Sequence, residues 1–302
     1  MSVAAAATPQ RGTRSLLFVP GNRADMLAKA TRYPAHAFIP DLEDSVPEAE
    51  KDRALDEVVR ALPDLASTGR LVIPRLNSLG TGRFDAELEA LAGPHTAAIS
   101  VGKIRSAQEI RRVDLLLARL EAGQKLKFRI GIVAWIETAA ALASVTEICR
   151  ASDRIRWVAF GAEDLTADMG VPRDAGGLEL PLLQHARATV AIAARAIGAI
   201  AADTPFVRFK DSDGLIEECR RSRHLGFKAK FAIHPSQVEA INRVFGPTDA
   251  ELAHARRVIA AWESAASEGR GAISLDGEMV DVPVVSRARA ILAEADPEPG
   301  RS

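Results

Sequence analysis

The sequence lacks the features of a disulfide scaffold, a membrane protein or a nucleic-acid binder. It has only two cysteines among 302 residues, Cys149 and Cys219, and both fall in predicted helices. That usage favours a reduced, cytoplasmic setting over a disulfide framework. No apolar run approaches the roughly eighteen residues of a membrane span. A formal net charge of −1 gives no electrostatic reason to expect a nucleic acid or an anionic membrane as a partner.

Targeting signals and nucleotide-binding motifs are also scarce. The stretch Met1–Gly12 is alanine-rich but lacks the charged start and longer apolar core of a signal peptide, so we expect a flexible tail. No Gly-x-Gly-x-x-Gly follows the first predicted strand, which leaves an open doubly wound sheet without support. What is present is ordinary for a soluble globular protein, with 47% hydrophobic and 26% charged residues.

Short apolar runs alternate with helix-like segments through most of the chain. Eight such alternations without a long antiparallel pattern predict a closed parallel α/β barrel, the TIM (β/α)₈ barrel, over residues 13–246. The predicted strands are Arg14–Pro20, Ala37–Asp41, Leu71–Asn77, Ala97–Ile104, Phe128–Thr138, the run that opens Arg156–Gly170, Ala199–Asp203 and Lys228–Ile233.

Residues 247–302 form an extension that the barrel does not need. A long helix over about Thr248–Glu268 is followed by two short apolar runs, and Asp276-Gly277 between them is a good hairpin signal. A last helix is predicted to run to about Glu294.

Two central strands each stop at a carboxylate, Glu137 and Asp164, and a helix follows at once. Parallel strands deliver their carboxyl ends to one mouth, where α/β folds place chemistry. Mg²⁺ is often held by one or two carboxylates with water and substrate oxygens, so we predict that this pair holds Mg²⁺. Either acid could instead serve its helix N-terminus. Thr138 is available as the cap after Glu137, which leaves that acid free.

Further charged residues fall at the same predicted end of the barrel. Ser45 has capping-box spacing to Glu48, so we expect it to cap the next helix and to leave Glu43 and Asp44 without a structural duty. Arg75 would bind a carboxylate of the substrate through its planar fork, or pair structurally with Glu43 or Asp44. Lys103 is an anion-binding or structural candidate, and a metal pair makes a Schiff base redundant. Trp135 and Trp157 are predicted core residues.

The motifs together resemble the citrate lyase β-subunit-like family, the HpcH/HpaI aldolase group, which includes malyl-CoA and citramalyl-CoA lyases. The resemblance covers residues 14 to about 288. It rests on Arg14-Ser-x-Leu-Phe-Val-Pro-Gly21, Asp41-Leu-Glu-Asp44, Arg75-Leu-Asn77, Ile136-Glu-Thr138, Gly161-Ala-Glu-Asp164-Leu and Gly226-Phe-x-x-Lys230-x-x-Ile233-His-Pro-x-Gln237. One stretch departs from the pattern, because many members have Pro-Lys-Val-Glu where this chain has Gly102-Lys-Ile-Arg105.

The resemblance implies a TIM barrel in which the acids matching Glu137 and Asp164 hold Mg²⁺ and the arginine matching Arg75 binds substrate. It also implies that the tail around Asp281 is a lid, whose aspartate enters the active site of a neighbouring subunit in a homo-oligomer (trimer or hexamer). The resulting candidate sets are as follows. Catalytic candidates are Asp281, Arg75 and Asp44, metal ligands are Glu137 and Asp164, and substrate-binding candidates are Arg14, Arg75, Glu137, Glu43 and His234.

These parts suit a carbon–carbon lyase that acts on a β-hydroxyacyl thioester and releases an acyl-CoA and a short 2-oxo acid. Asp281 could protonate the departing carbon, or it could only cap the helix that starts near Pro283. His234 could likewise be a core or cap histidine. The rival functions are an aldolase for free 2-oxo acids and a subunit that needs an acyl-carrier partner.

Overall fold

The computed structural model describes residues 12–172, 181–267 and 272–295. Its main feature is a closed barrel of parallel strands, as the sequence predicts. Strand order around the barrel is β1-β9-β8-β7-β6-β5-β4-β2, with β3 also on β2, and pairing of β1 with β2 closes the ring. The strands are β1 Ser15–Pro20, β2 Ala37–Asp41, β3 Leu71–Val72, β4 Arg75–Leu76, β5 Ala98–Val101, β6 Gly131–Ile136, β7 Ile155–Phe160, β8 Ile200–Asp203 and β9 Ala229–Ala232.

The third predicted strand is broken, which the sequence pattern did not predict. Leu71–Asn77 divides into β3 and β4, with Ile73 and Pro74 between them. Proline has no N–H to give to a ladder, so Pro74 interrupts the strand. Its carbonyl still accepts the Ser100 N–H at 2.8 Å, which keeps β4 beside β5. The barrel therefore has eight strand positions, one of them built from two pieces.

The strands are buried on both faces because the barrel has an interior core and an outer layer of helices. Alternate residues along β6 go to the two sides: Val133 and Trp135 pack inside, while Ile132, Ala134 and Ile136 pack against helices. Inside the barrel, the rings of Trp135 and Phe231 lie 4.5 Å apart. Trp157 belongs to the same interior cluster, so both predicted core tryptophans are confirmed.

Helices follow most of the strands and cover the barrel. They are α1 Ala24–Ala30, α2 Lys51–Ser67, α3 Phe84–Leu91, α4 Ala107–Gln124, α5 Ala139–Ala143, α6 Val145–Cys149, α7 Ala162–Asp168, α8 Pro181–Ala196, α9 Ser212–His224 and α10 Val238–Phe245, with α11 Asp249–Ser267 and α12 Val282–Ala295 in the extension. Short 3₁₀ turns lie at Glu48–Glu50, Leu79–Thr81 and Pro235–Gln237. Within the described ranges no helix has both the length and the apolar character to cross a bilayer.

The expected cap at Ser45 is wrong. The chain after β2 makes a turn in which Asp41 accepts hydrogen bonds from the Glu43 N–H at 2.9 Å and from the Ser45 N–H at 3.1 Å. A 3₁₀ turn comes first, and α2 begins only at Lys51. Asp41 holds the backbone around Ser45 in this turn, and the residues that precede the 3₁₀ turn and α2 are Pro47 and Glu50.

The extension has a small apolar core of its own. Helices α11 and α12 pack together with the hairpin of β10 Ile273–Leu275 and β11 Glu278–Val280, whose strands are antiparallel as predicted. Its polar contacts with Arg14 and Lys228 of the barrel lie at the amino ends of the strands. There Arg14, just before β1, donates to the Glu294 carbonyl at 3.1 Å, and Lys228, just before β9, pairs with the Glu294 carboxylate at 3.0 Å.

Candidate active site

The two predicted metal ligands lie at the carboxyl ends of paired strands. Glu137 follows β6 directly, and Asp164 lies in the first turn of α7, just after β7. Neither acid caps a helix, because Thr138 accepts the Ala141 N–H at 3.1 Å and Gly161 is the residue that precedes α7. Among the described residues, Asp164 has no hydrogen-bond or ion-pair partner. Both acids are therefore available to a ligand.

Glu137 is a buried carboxylate in an acidic environment. Its side chain accepts the Lys103 N–H at 2.5 Å, and only 2% of the residue is exposed. Burial, followed by the nearby Asp164 and Glu43 charges, raises the pKa of Glu137 to about 8. Such a shift marks a carboxylate that needs a positive partner to stay ionised near neutral pH. The site thus has the charge balance that suits a cation.

Two glycines leave room for the acids at this end of the barrel. A β-carbon on Gly161 would lie 2.6 Å from both Cβ and Oε2 of Glu137. A β-carbon on Gly102 would lie 2.7 Å from Oε2 of Glu43. Because these approaches are too close for any real side chain, glycine at each position is what lets the carboxylate occupy its place.

Arg75 is clamped by Asp41 in the same cluster. Its Nε and Nη2 atoms donate to the two oxygens of Asp41, both at 2.7 Å, and its guanidinium lies 4.7 Å from the ring centroid of Phe18. Burial opposes the charge, but the Asp41 carboxylate, with Glu43 and Asp44, holds the pKa of Arg75 above its usual value. The side chain is therefore fixed and permanently charged. Its Nη1 faces Glu43 at 3.2 Å and Asp44 at 3.0 Å.

The role of Asp41 was missed by the sequence reasoning. That reasoning considered only Glu43 and Asp44 as structural partners of Arg75, whereas the structure adds a two-point clamp from Asp41. Asp41 and Arg75 are register partners on β2 and β4. An acid and an arginine at the ends of adjacent strands can therefore be predicted to pair, provided that the strand order is known.

Glu43, Asp44 and Lys103 form a linked charge network beside Arg75. The Lys103 ammonium lies 3.2 Å from Glu43 and 3.0 Å from Asp44. Burial works against its charge, but Glu43 and Asp44 raise the pKa of Lys103, which is the opposite of what a Schiff-base lysine requires. Glu43 is buried with both oxygens lacking a hydrogen bond in the part of the chain described, although two cations face it. Burial raises its pKa. Lys51 fixes the loop by donating to the Leu42 and Glu43 carbonyls at 2.8 and 2.9 Å.

Three predicted site residues lie elsewhere or are otherwise engaged. Arg14 is at the amino end of β1, and its guanidinium docks the Glu294 carbonyl, so the structure does not bring it to the acids. His234 follows β9 at the correct end, but its ring accepts the Ser236 N–H and stacks on Phe209. That is the capping role which the sequence left open.

Asp281 has a structural duty that the sequence reasoning did not favour. Its Oδ1 accepts the Val284 N–H at 3.3 Å, which caps the start of α12, and its carbonyl accepts the Val285 N–H. It belongs to the extension, which contacts Arg14 and Lys228 at the amino end of its own barrel. The acid pair of the same chain is at the carboxyl end.

The donor set fits a cation that takes few protein ligands. Within the described ranges no group of three or more histidine, cysteine or acidic side chains is arranged to hold a metal. Two carboxylates, one buried with a raised pKa and one without a described partner, are what Mg²⁺ uses when water and substrate complete its octahedron. Glu137 and Asp164 would be its ligands.

A parallel eight-stranded barrel with such a site at its carboxyl end is a TIM-barrel enzyme. The family model for HpcH/HpaI aldolase/citrate lyase matches residues 14–235. The citrate lyase subunit beta of Escherichia coli is 36% identical over 287 residues, which cover 95% of this chain and 94% of that protein. The L-malyl-CoA/beta-methylmalyl-CoA lyase of Rhodobacter capsulatus is 33% identical over 305 residues, covering 95% and 96%.

Among solved structures, CitE from Mycobacterium tuberculosis in complex with magnesium, acetoacetate and coenzyme A superposes with a TM-score of 0.77. It is 33% identical and covers 95% of this chain and 99% of that chain. The chain therefore belongs to the HpcH/HpaI aldolase/citrate lyase family. The predicted fold, family and lyase class are confirmed. Magnesium is present in the solved relatives, in agreement with the predicted cofactor.

Proposed function

We propose that this chain is a Mg²⁺-dependent carbon–carbon lyase that cleaves a β-hydroxyacyl-CoA, of the malyl-CoA or citramalyl-CoA type, into an acyl-CoA and a short 2-oxo acid. The observation that carries the proposal is the acid pair Glu137 and Asp164 beside the clamped guanidinium of Arg75. The relatives named for malyl-CoA cleavage and the CoA-bound structure support the thioester class.

Mg²⁺ on Glu137 and Asp164 would supply a Lewis acid that makes the substrate hydroxyl more acidic and orients it. Arg75 binds the carboxylate next to that hydroxyl through Nη1, because Asp41 holds Nε and Nη2 and leaves Nη1 directed to the acid cluster. Asp44 is itself held by Arg75 and Lys103 at 3.0 Å each. Glu43 faces the same two cations, but Asp44 is half-exposed whereas Glu43 is buried and has a raised pKa, so we assign Asp44 the role of positioning these cations.

Glu43 is our candidate for the proton acceptor. Its raised pKa makes it a better base than an exposed carboxylate, and its oxygens have no hydrogen-bond donor among the described residues. Glu43 takes the hydroxyl proton, the carbinol carbon becomes the carbonyl of the 2-oxo acid, and the carbon–carbon bond breaks. The electron pair of that bond passes to the carbon next to the thioester as an enolate. Protonation of this carbon completes the acyl-CoA.

The proton donor is Asp281 of a neighbouring copy. Two observations support this assignment besides the family. First, the extension docks at the amino end of its own barrel, away from its own acids. Second, Met279 and Val282, on either side of Asp281, are 69% and 65% exposed. Apolar exposure of this kind is typical of an interaction surface.

The complementary surface is an apolar rim at the carboxyl end of the barrel. Met169, Val207, Phe209 and Ile233, from three consecutive loops, are between 42% and 48% exposed. If the hairpin of one copy covers this rim on the next, Asp281 arrives at the acid cluster and water is excluded. The resulting assembly is a homo-oligomer, for which a trimer or hexamer is our proposal. Its active sites are then shared between chains.

A second candidate is cleavage of a citryl thioester carried by an acyl-carrier protein. The specific observation in its favour is that relatives named citrate lyase subunit beta reach 36% identity, against 33% for the malyl-CoA lyases. The two share a mechanism and differ in carrier and acyl group. An aldolase for free 2-oxo acids without a thioester is the remaining alternative, and no separate observation favours it.

The test is a coupled assay of the purified protein. Malyl-CoA, citramalyl-CoA, citryl-CoA and the corresponding free acids are supplied with Mg²⁺ and then with excess EDTA, and the released 2-oxo acid is reduced by an NADH-linked dehydrogenase. We expect turnover of a CoA thioester that EDTA abolishes. Turnover of a free acid alone would support the aldolase. Activity on a citryl thioester only after an acyl-carrier protein is added would support the second candidate.

A further inference from the structure

A cavity of about 710 Å³ lies between the amino end of the barrel and helix α12. Its walls include Arg14 before β1, Arg195 in the last turn of α8, Lys228 before β9, and Arg289 and Glu294 on α12. Cavities of a few hundred cubic ångströms are the usual size of small-molecule sites. This one is at the opposite end of the barrel from Glu137, so it is separate from the candidate active site.

The walls of the cavity carry more positive than negative charge. Four cationic side chains and one carboxylate leave an excess of three positive charges. The single acid, Glu294, is already engaged, because its carboxylate pairs with Lys228 at 3.0 Å and its carbonyl accepts from Arg14 at 3.1 Å. The side chains of Arg195 and Arg289 have neither a hydrogen bond nor an ion pair to any residue in the described ranges. Two guanidinium groups are therefore available to a ligand.

Burial lowers the pKa of Arg14, against the attraction of Glu294, so its positive charge is poorly solvated at this wall of the cavity. An anion in the cavity would stabilise that charge. Guanidinium groups also bind the paired oxygens of phosphate through their planar fork, which makes arginine the usual residue for this task.

The remaining lining is largely apolar and comes from both sides of the cavity. Ala199 and Phe245 belong to the barrel side, while Ala290 and Ala293 belong to α12. A bare inorganic ion would use only the guanidinium groups. A ligand with an organic body would also cover this apolar surface.

We propose that this cavity binds a small organic anion that carries a di- or triphosphate group, with Arg195 and Arg289 as its main contacts. About three negative charges match the excess of three positive charges. Because the ligand would touch the barrel and α12 together, its binding would also hold the extension against the barrel. The proposal does not depend on the reaction assigned above.

The test is titration calorimetry in EDTA with ADP, which has an organic body, and with inorganic pyrophosphate, which has none. The key variant is Arg195→Ala/Arg289→Ala. Its matched control is Arg220→Ala/Arg256→Ala, which removes the same charge from exposed positions outside the cavity. Thermal unfolding of both variants checks that they fold. We expect ADP to bind the wild type more tightly than pyrophosphate does, and the key variant to bind each probe at least about tenfold more weakly. The control should bind like the wild type.

Three outcomes would overturn the proposal. One is that neither probe binds the folded wild type at millimolar concentration. Another is that the key variant and the control bind ADP equally well, which would place the phosphate elsewhere. The last is that the key variant changes the molar mass by light scattering while no probe binds, which would make the cavity an interface between copies of this chain.

Discussion

At the scale of single residues, Arg75 has an environment unlike that of an ordinary surface arginine. Asp41 holds it at two points, and Phe18 lies under its guanidinium. The clamp removes the rotational freedom that a lysine would keep, and it leaves Nη1 directed to the acid cluster. In our proposal this fixed orientation lets Arg75 bind the substrate carboxylate.

We expect Arg75→Lys to lower kcat/KM by about tenfold to a hundredfold. A single ammonium cannot reproduce the fork, and one buried charge-assisted contact is worth about 1.5–3 kcal/mol. Steady-state kinetics measures the effect, and thermal unfolding separates it from lost stability. Arg112→Lys is the matched control, since Arg112 pairs with Asp85 at an exposed position. Unchanged kinetics in Arg75→Lys would assign this arginine a purely structural role.

We expect Glu137→Gln, like Asp164→Asn, to lose Mg²⁺-dependent turnover and Mg²⁺ affinity by titration calorimetry while the fold remains. Glu137→Gln should also change the pH dependence of the free energy of unfolding, measured in EDTA. The folded pKa of about 8 lies above the usual 4.5, so the native state retains a proton that the unfolded state releases. Wild-type stability should therefore fall as pH rises from about 4.5 to about 8, by up to about 1.4 kcal/mol per pH unit.

The glutamine variant should lack that fall, because it has no proton to release. Urea unfolding at pH 5, 6, 7 and 8 measures it. Glu147→Gln, at an exposed position on α6, is the control and should behave like the wild type. Equal Mg²⁺ affinity in wild type and Glu137→Gln would contradict the metal assignment. An equal pH slope in the two would contradict the buried-acid environment.

At the scale of elements, most of the fold could be predicted from periodicity and caps. Ser106 accepts the Glu109 N–H and Asp211 accepts the Gly214 N–H, at the starts of α4 and α9, and both residues are of types that favour helix caps. Gly226, at φ 100°, ends α9 in the left-handed region that glycine tolerates. The acids Glu137 and Asp164 could be predicted because each one ends an apolar run.

The features of the fold and site that could not be predicted depend on which residues meet across the barrel. Ser45 has the right spacing for a cap, but Asp41 at the end of the preceding strand holds the backbone around Ser45 in a turn, and the helix begins only at Lys51. Arg14 lies in a motif with site residues, yet it precedes β1 rather than following it. In a parallel barrel that difference places a side chain at the opposite end. The spacing of residues along the sequence does not show which side chain will hold a turn, or at which end of the barrel a residue will lie.

We expect Arg14→Ala to loosen α12 rather than to weaken substrate binding directly. It removes the hydrogen bond to the Glu294 carbonyl, which we value at about 1 kcal/mol because the contact is only part-buried. Hydrogen exchange of residues 282–295 should become about fivefold faster. Arg256→Ala, an exposed change on α11, is the control and should leave this exchange unchanged. A raised KM with unchanged exchange would restore Arg14 to the substrate site.

At the scale of the whole molecule, the two functional regions lie at opposite ends of the barrel. The extension with Asp281 docks at the amino end, and the acid cluster is at the carboxyl end. If Asp281 completes the site, as we propose, it comes from another copy, because the extension of the same chain docks at the amino end. Such an exchange is reciprocal in a two-fold dimer or heterologous, and heterologous contacts form a ring when the rotation between copies closes. A trimer is the smallest heterologous ring, and it is the assembly that we propose.

We expect Asp281→Asn to lose about 10²–10⁴-fold in kcat while it still binds Mg²⁺, because a general acid contributes about that much. Mixing it with Glu137→Gln chains, which are also inactive, should restore part of the activity by building some sites with both groups intact. Glu278→Gln, an exposed acid in the same hairpin, is the control and should be active alone. If native mass spectrometry shows mixed oligomers and no activity returns, Asp281 does not act across the interface.

Because no side chain is present at Gly102 and Gly161, the site can lose its activity through substitution of an uncharged residue. A search for inactivating changes would begin with the charged groups, yet a single added methyl group at either glycine would displace a carboxylate without altering any charge. Gly161→Ala and Gly102→Ala should leave every charged residue in place in the sequence and still displace Glu137 and Glu43, respectively, from their positions in the site. The space that the two glycines leave at the strand ends is thus as necessary to the enzyme as the acids that occupy it.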